Sequence, residues 1–134
     1  MAKLSEIEGI GEAYQAKLNT AGVKGTADLL SKGSTPKGRK EIAEKSGIGD
    51  GLILEWVNHV DLFRIKGVGS EYADLLEAAG VDTIPELANR NAQNLLEKMT
   101  ATNMQKKLVR RLPVLSQVEQ WVEQAKSLPR VITY

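Results

Sequence analysis

The chain has no cysteine, which excludes disulfides, thiolate metal sites and cysteine nucleophiles. Its single histidine excludes multi-histidine metal centres and most histidine-dependent catalysis. No apolar run approaches the roughly 18 residues that a membrane span needs. The opening Met1-Ala2-Lys3-Leu4-Ser5-Glu6 lacks the apolar core of a signal peptide, so a cytoplasmic protein is expected. An excess of charge of one sign is missing too: 18 basic against 17 acidic residues leave a net charge of +1. Any grip on nucleic acid must therefore come from where charges sit, not from how many there are. What remains is an ordinary folding composition, 42% hydrophobic and 26% charged, over 134 residues. That length suits one domain or two small ones of about sixty residues.

The strongest signal in the chain is internal. Residues 7–30 read IEGIGEAYQAKLNTAGVKGTADLL and residues 65–88 read IKGVGSEYADLLEAAGVDTIPELA. At an offset of 58 the identities are Ile7/Ile65, Gly9/Gly67, Gly11/Gly69, Tyr14/Tyr72, Leu18/Leu76, Ala21/Ala79, Gly22/Gly80, Val23/Val81 and Leu29/Leu87. Glu55-Trp56-Val57 recurs as Gln120-Trp121-Val122 at an offset of 65, so the second copy carries extra residues between Met104 and Ser116. The pattern is that of a duplicated unit of about sixty residues.

Apolar spacing is helical throughout, and about ten short helices are expected. Glu12 to Ala21 should be a helix closed by Gly22, and Thr26 should cap a short one. Thr35 before Pro36 reads as an N-cap and first-turn proline for a helix that Gly47 ends. Asp50 should cap the next helix, whose stripe is Ile53, Trp56, Val57 and Val60. Ser116 with Glu119 reads as a capping box for the last helix, with Val118, Trp121, Val122 and Ala125 on its buried face. Trp56 and Trp121 read as core anchors, Tyr14 and Tyr72 as core edges with the hydroxyl at the surface, and His59 as structural or at the surface.

Each Gly-X-Gly sits between a short helix and a longer one. Glycine permits backbone angles closed to other residues, and Ile10 or Val68 between the glycines plugs the turn into the core. If Gly69 holds such an angle, Gly69→Val should cost about 1–3 kcal/mol. Two readings stand side by side. One is a tight helix-to-helix turn and nothing more. The other is a phosphate site, since main-chain N–H groups at the start of the following helix point outward with the positive end of the helix dipole behind them.

The two stretches resemble the helix-hairpin-helix motif in tandem, and the chain is similar to a bacterial helix-hairpin-helix family of uncharacterised function. That resemblance implies an all-α fold of two tandem units, residues 1–62 and 63–134, packed as one domain about an approximate twofold axis. It further implies a sequence-independent grip on duplex phosphates across the minor groove, sometimes with a monovalent cation held by turn carbonyls. By position it points to Gly9, Ile10, Gly11 and Glu12, and to Gly67, Val68, Gly69 and Ser70. This chain departs from the motif where a basic residue usually follows the second glycine. Glu12-Ala13 and Ser70-Glu71 stand there instead. Glu71, Asp74, Glu77, Asp82 and Glu86 leave positions 67–89 without a basic residue, so Lys66 would have to compensate.

Two basic clusters offer the missing charge. Lys37, Arg39 and Lys40 follow Pro36. Lys106, Lys107, Arg110 and Arg111 are expected on one helix, as a single broad face that is either solvated or turned to an anionic partner. No aromatic residue is interleaved with them, which argues against a single-strand stacking platform. No serine or carboxylate has a catalytic context. The expectation is a non-catalytic duplex-DNA-binding module without a required cofactor. The alternative is a protein–protein adaptor that kept the scaffold and lost the phosphate grip.

Overall fold

The computed structural model describes residues 3–7 and 9–134. Met1 and Ala2 of the opening segment, and Glu8 of the first repeated stretch, lie outside the described residues. Among the described residues the chain is all helical, with one 3-10 turn at Leu4–Glu6 followed by eight α-helices and no strand. The helices are α1 Glu12–Thr20, α2 Thr26–Gly33, α3 Pro36–Ser46, α4 Asp50–Leu62, α5 Ser70–Ala78, α6 Ile84–Ala88, α7 Ala92–Lys106 and α8 Leu115–Ser127. None of them is long and apolar enough to cross a membrane.

The duplication is visible in the bounds. α1 and α5 begin and end 58 residues apart, whereas α4 and α8 begin and end 65 residues apart. The additional residues lengthen α7 and widen the connector before α8, which runs over residues 107–114 against only 47–49 in the first copy. The chain divides into two compact units, Met1–Asp61 with Val131–Tyr134, and Leu62–Arg130. In the second unit Leu62, Ile65, Val68, Leu76, Trp121 and Val122 belong to one contiguous buried cluster. In the first unit Leu18, Leu29, Ile53, Trp56, Val57 and Ile132 are buried.

Helix ends follow local chemistry. α1 closes with Gly22 at φ +87°, the Gly22 amide donating to Asn19 O and the Val23 amide to Leu18 O. α5 closes identically with Gly80 at φ +95°, Gly80 to Glu77 O and Val81 to Leu76 O. This is the double bond pattern of a Schellman end, where a left-handed residue satisfies carbonyls that the helix leaves open. Lys32 Nζ donates to Gly22 O, and Arg90 Nη2 donates to Gly80 O at 2.9 Å, so a cation ten residues on secures each end. Thr35 caps α3 by accepting from the Gly38 amide at 3.0 Å, with Pro36 in the first turn, and Gly47 ends it at φ +75°.

Three sequence expectations at helix starts are displaced. α2 has Gly25 as its cap and Thr26 as its first residue, and Asp50 opens α4 as its first residue. α8 starts at Leu115, not after Ser116. There the Gln117 side chain takes the Val114 amide at 2.9 Å, a contact that Glu119 is too far along the helix to make.

Candidate functional site

Both Gly-X-Gly turns are built in one way. In the first, the Ile10 amide donates back to Ile7 O at 3.1 Å, and Gly9 takes φ +93°. Ile10 is buried, and exposed Gly11 is the N-cap of α1 at φ −95°, ψ −169°. In the second, the Val68 amide donates to Ile65 O at 3.1 Å and Gly67 takes φ +96°. Val68 is buried and exposed Gly69 caps α5 at φ −99°, ψ −166°. A tryptophan floors each turn. A Cβ on Gly9 would lie 3.9 Å from Trp56 Nε1, and one on Gly67 would lie 3.2 Å from Trp121 Nε1. Tyr14 meets Trp56 edge-on at 5.1 Å between ring centroids, and Tyr72 meets Trp121 at 5.2 Å. Burial of both tryptophans and of the turn plugs holds the following helix start in place.

Within each pair the glycines differ. The left-handed angle belongs to Gly9 and Gly67. Gly11 and Gly69 are extended, with open space around a would-be Cβ, so the strain expected at Gly69 lies at Gly67 instead.

The first amides of α1 and α5 have no side-chain cap. By contrast α3, α6 and α7 are capped by Thr35, Thr83 and Asn91. A helix leaves its first four N–H groups without an internal partner, and a glycine cap supplies no oxygen for them. The first intrahelical bonds are Gln15 N–H to Gly11 O and Ala73 N–H to Gly69 O. Upstream of these, the amides of Glu12-Ala13-Tyr14 and Ser70-Glu71-Tyr72 are the ones available to an anion. Glu12 and Glu71 are exposed beside them; Ser70 is half-buried, with its Oγ enclosed and unpaired.

The basic cluster is not one helix face. α7 stops at Lys106, and Lys107 takes a left-handed φ of +52°. The Asn103 side chain then clamps the chain as it turns, accepting from the Val109 amide at 3.0 Å and donating to Val109 O at 3.2 Å. Val109 is buried, which fixes the connector on the second unit. Two contacts bring its arginines to the second turn. The Tyr72 hydroxyl donates to Arg111 O at 3.0 Å, and Arg110 Nε lies 3.9 Å from Glu71 Oε1. Helix continuation fails because a left-handed residue and a side-chain clamp replace the next helical bonds, while a helix would stack four like charges. Arg110, Arg111, Lys106 and Lys107 are all exposed.

Lys66 is exposed, but its peptide is held: its amide donates to Gln124 Oε1 at 2.8 Å and its carbonyl accepts from Gln124 Nε2 at 3.3 Å. Of the other cluster, Lys37 and Lys40 are exposed whereas Arg39 is buried and committed to main-chain carbonyls. His59 is buried as well. Asn103, Gln124 and the Tyr72 hydroxyl act as positioning groups that the sequence pattern does not single out. The only sequence signal for the tyrosine was its recurrence at Tyr14.

Residues 8–128 match a family model whose description is Domain of unknown function (DUF4332). No curated protein and no solved structure matches the chain.

Proposed function

The chain belongs to the DUF4332 family, and on that premise we propose that it is a non-catalytic, sequence-independent duplex-DNA-binding module. The two glycine turns act as tandem helix-hairpin-helix elements. Each offers the main-chain amides after Gly11 or Gly69 to a phosphate, and phosphate contacts position a protein without reading bases. Lys66, Lys106, Lys107, Arg110 and Arg111 supply the charge that the motif residues Glu12 and Ser70-Glu71 do not. One observation carries the reading: α1 and α5, which follow matching turns, both start bare, and the Arg110–Arg111 connector is pinned beside the second. The Arg110–Glu71 pair is exposed, with side chains 93% and 56% accessible, so it holds Arg110 weakly and leaves it free to take a phosphate.

A protein partner is the second reading. Met104 and Val114 are large apolar side chains, 76% and 56% exposed, at the two ends of the segment that carries the basic cluster. Titration of fluorescent duplex DNA at two salt concentrations separates the two. Saturable binding that weakens steeply with salt supports the DNA module. No binding at low salt with folded protein hands the scaffold to the adaptor reading.

A further inference from the structure

The C-terminal tail occupies a built site on the first unit. Arg39 lies in α3 and is only 6% exposed. Its Nη1 donates to Gly33 O at 2.8 Å and its Nη2 to Thr133 O at 2.7 Å. The Thr133 amide donates to Ser34 O at 2.7 Å, so both main-chain groups of Thr133 are engaged. The flanking side chains are engaged too. Ile132 is 2% exposed, the Tyr134 hydroxyl donates to Asn58 Oδ1 at 2.9 Å, and the Tyr134 ring lies 5.7 Å from the Arg39 guanidinium carbon.

Main-chain bonds at a central residue with a side-chain contact on either side make a peptide-recognition arrangement: the backbone bonds give affinity and the side-chain contacts give selectivity. A buried guanidinium needs acceptors, and Arg39 finds one in Gly33 O at the end of α2 and the other in Thr133 O. We propose that Ser34, Arg39 and Asn58 form a binding site for a short non-helical peptide of apolar–Thr–Tyr pattern. In this chain the site is filled in cis by Ile132-Thr133-Tyr134. Only Leu128-Pro129-Arg130-Val131 separates Ile132 from α8, so the local concentration of the tail is of the order of millimolar and a free peptide competes poorly. With the tail lifted, the same sequence supplied in trans takes its place.

The test uses the full chain carrying Ile132→Asp and Tyr134→Ala, which unseats the tail without touching the site. A fluorescein-labelled, amidated peptide spanning residues 130–134 is titrated against this variant and against the wild type. Binding at least tenfold tighter to the variant is expected, and Arg39→Lys in the same background should remove at least tenfold of it. A helical variant that binds no better than wild type overturns the proposal, as does binding indifferent to Arg39. A second measurement needs no variant: hydrogen exchange of the Thr133 amide in the wild type. Protection relative to the free peptide is expected, and exchange at the free-peptide rate overturns occupancy in cis.

Discussion

Gly67 and Gly69 stand two residues apart, yet substitutions at them should differ sharply in cost. At Gly67 φ is +96° and an added Cβ would press on Trp121 Nε1 at 3.2 Å, so Gly67→Ala combines backbone strain with a clash against a buried indole. A loss of about 1–3 kcal/mol is expected. Gly69 is extended and open, so Gly69→Ala should stay within about 1 kcal/mol of wild type, the ordinary range of an N-cap change. Urea unfolding of the two variants decides the matter, and equal losses would contradict the division of roles. Ser70 sits next in the chain with its Oγ enclosed and unpaired. An unsatisfied buried hydroxyl costs about 1–3 kcal/mol, so Ser70→Ala should raise stability. Because only backbone is offered to phosphate there, the same variant should keep any DNA binding; a lost affinity would show that the hydroxyl itself takes part.

At the level of helices, the bare starts of α1 and α5 allow binding to be separated from folding. Gly11→Asp with Gly69→Asp gives each helix the capping oxygen it lacks, and it sets a carboxylate where a phosphate would lie. Thermal stability should hold or rise slightly, while duplex affinity should fall at least tenfold. Retained affinity in a folded double variant would remove the helix starts from the interface. These helices were legible in the sequence because their determinants are local. Gly22 and Gly80, Thr35 with Pro36, and the apolar stripe of Trp56 each act within a turn or two of their position. The basic connector was not legible. Its path depends on Lys107 turning left-handed, on Asn103 reaching Val109, and on Tyr72 reaching Arg111 from 39 residues away. The tail was still less legible, since Arg39 and Thr133 are 94 residues apart and the sequence distinguishes Arg39 in no way from Lys37 and Lys40 in the same basic cluster. The pairing of Lys32 and Arg90 with the glycine ends was present in the 58-residue repeat, but as a shared charge and not as an identity.

Taken as a whole, the molecule is nearly neutral, with a net charge of +1, so its salt response measures where its cations lie. Lys106, Lys107, Arg110 and Arg111 are exposed within six residues of chain, in the segment that the second copy has and the first lacks. If all four reach phosphates, log affinity for duplex DNA should fall against log salt with a slope of about −3 to −4, at roughly 0.9 per phosphate. Arg110→Glu with Arg111→Glu should flatten that slope by about 2 and weaken every sequence alike, since no base is read. Both arginines are exposed, and the bond from Tyr72 is to the Arg111 main chain, so the connector should keep its path. The opposite change, Glu12→Lys with Glu71→Lys, sets a cation at each helix start and also releases Arg110 from its ion pair. Affinity should rise and the slope should steepen. A wild type inert towards duplex at low salt, beside a double-lysine variant that binds, would mean that the turns are competent and the native charges forbid their use. In that case the exposed Met104 and Val114 around the same segment become the first residues to substitute in a search for a protein partner.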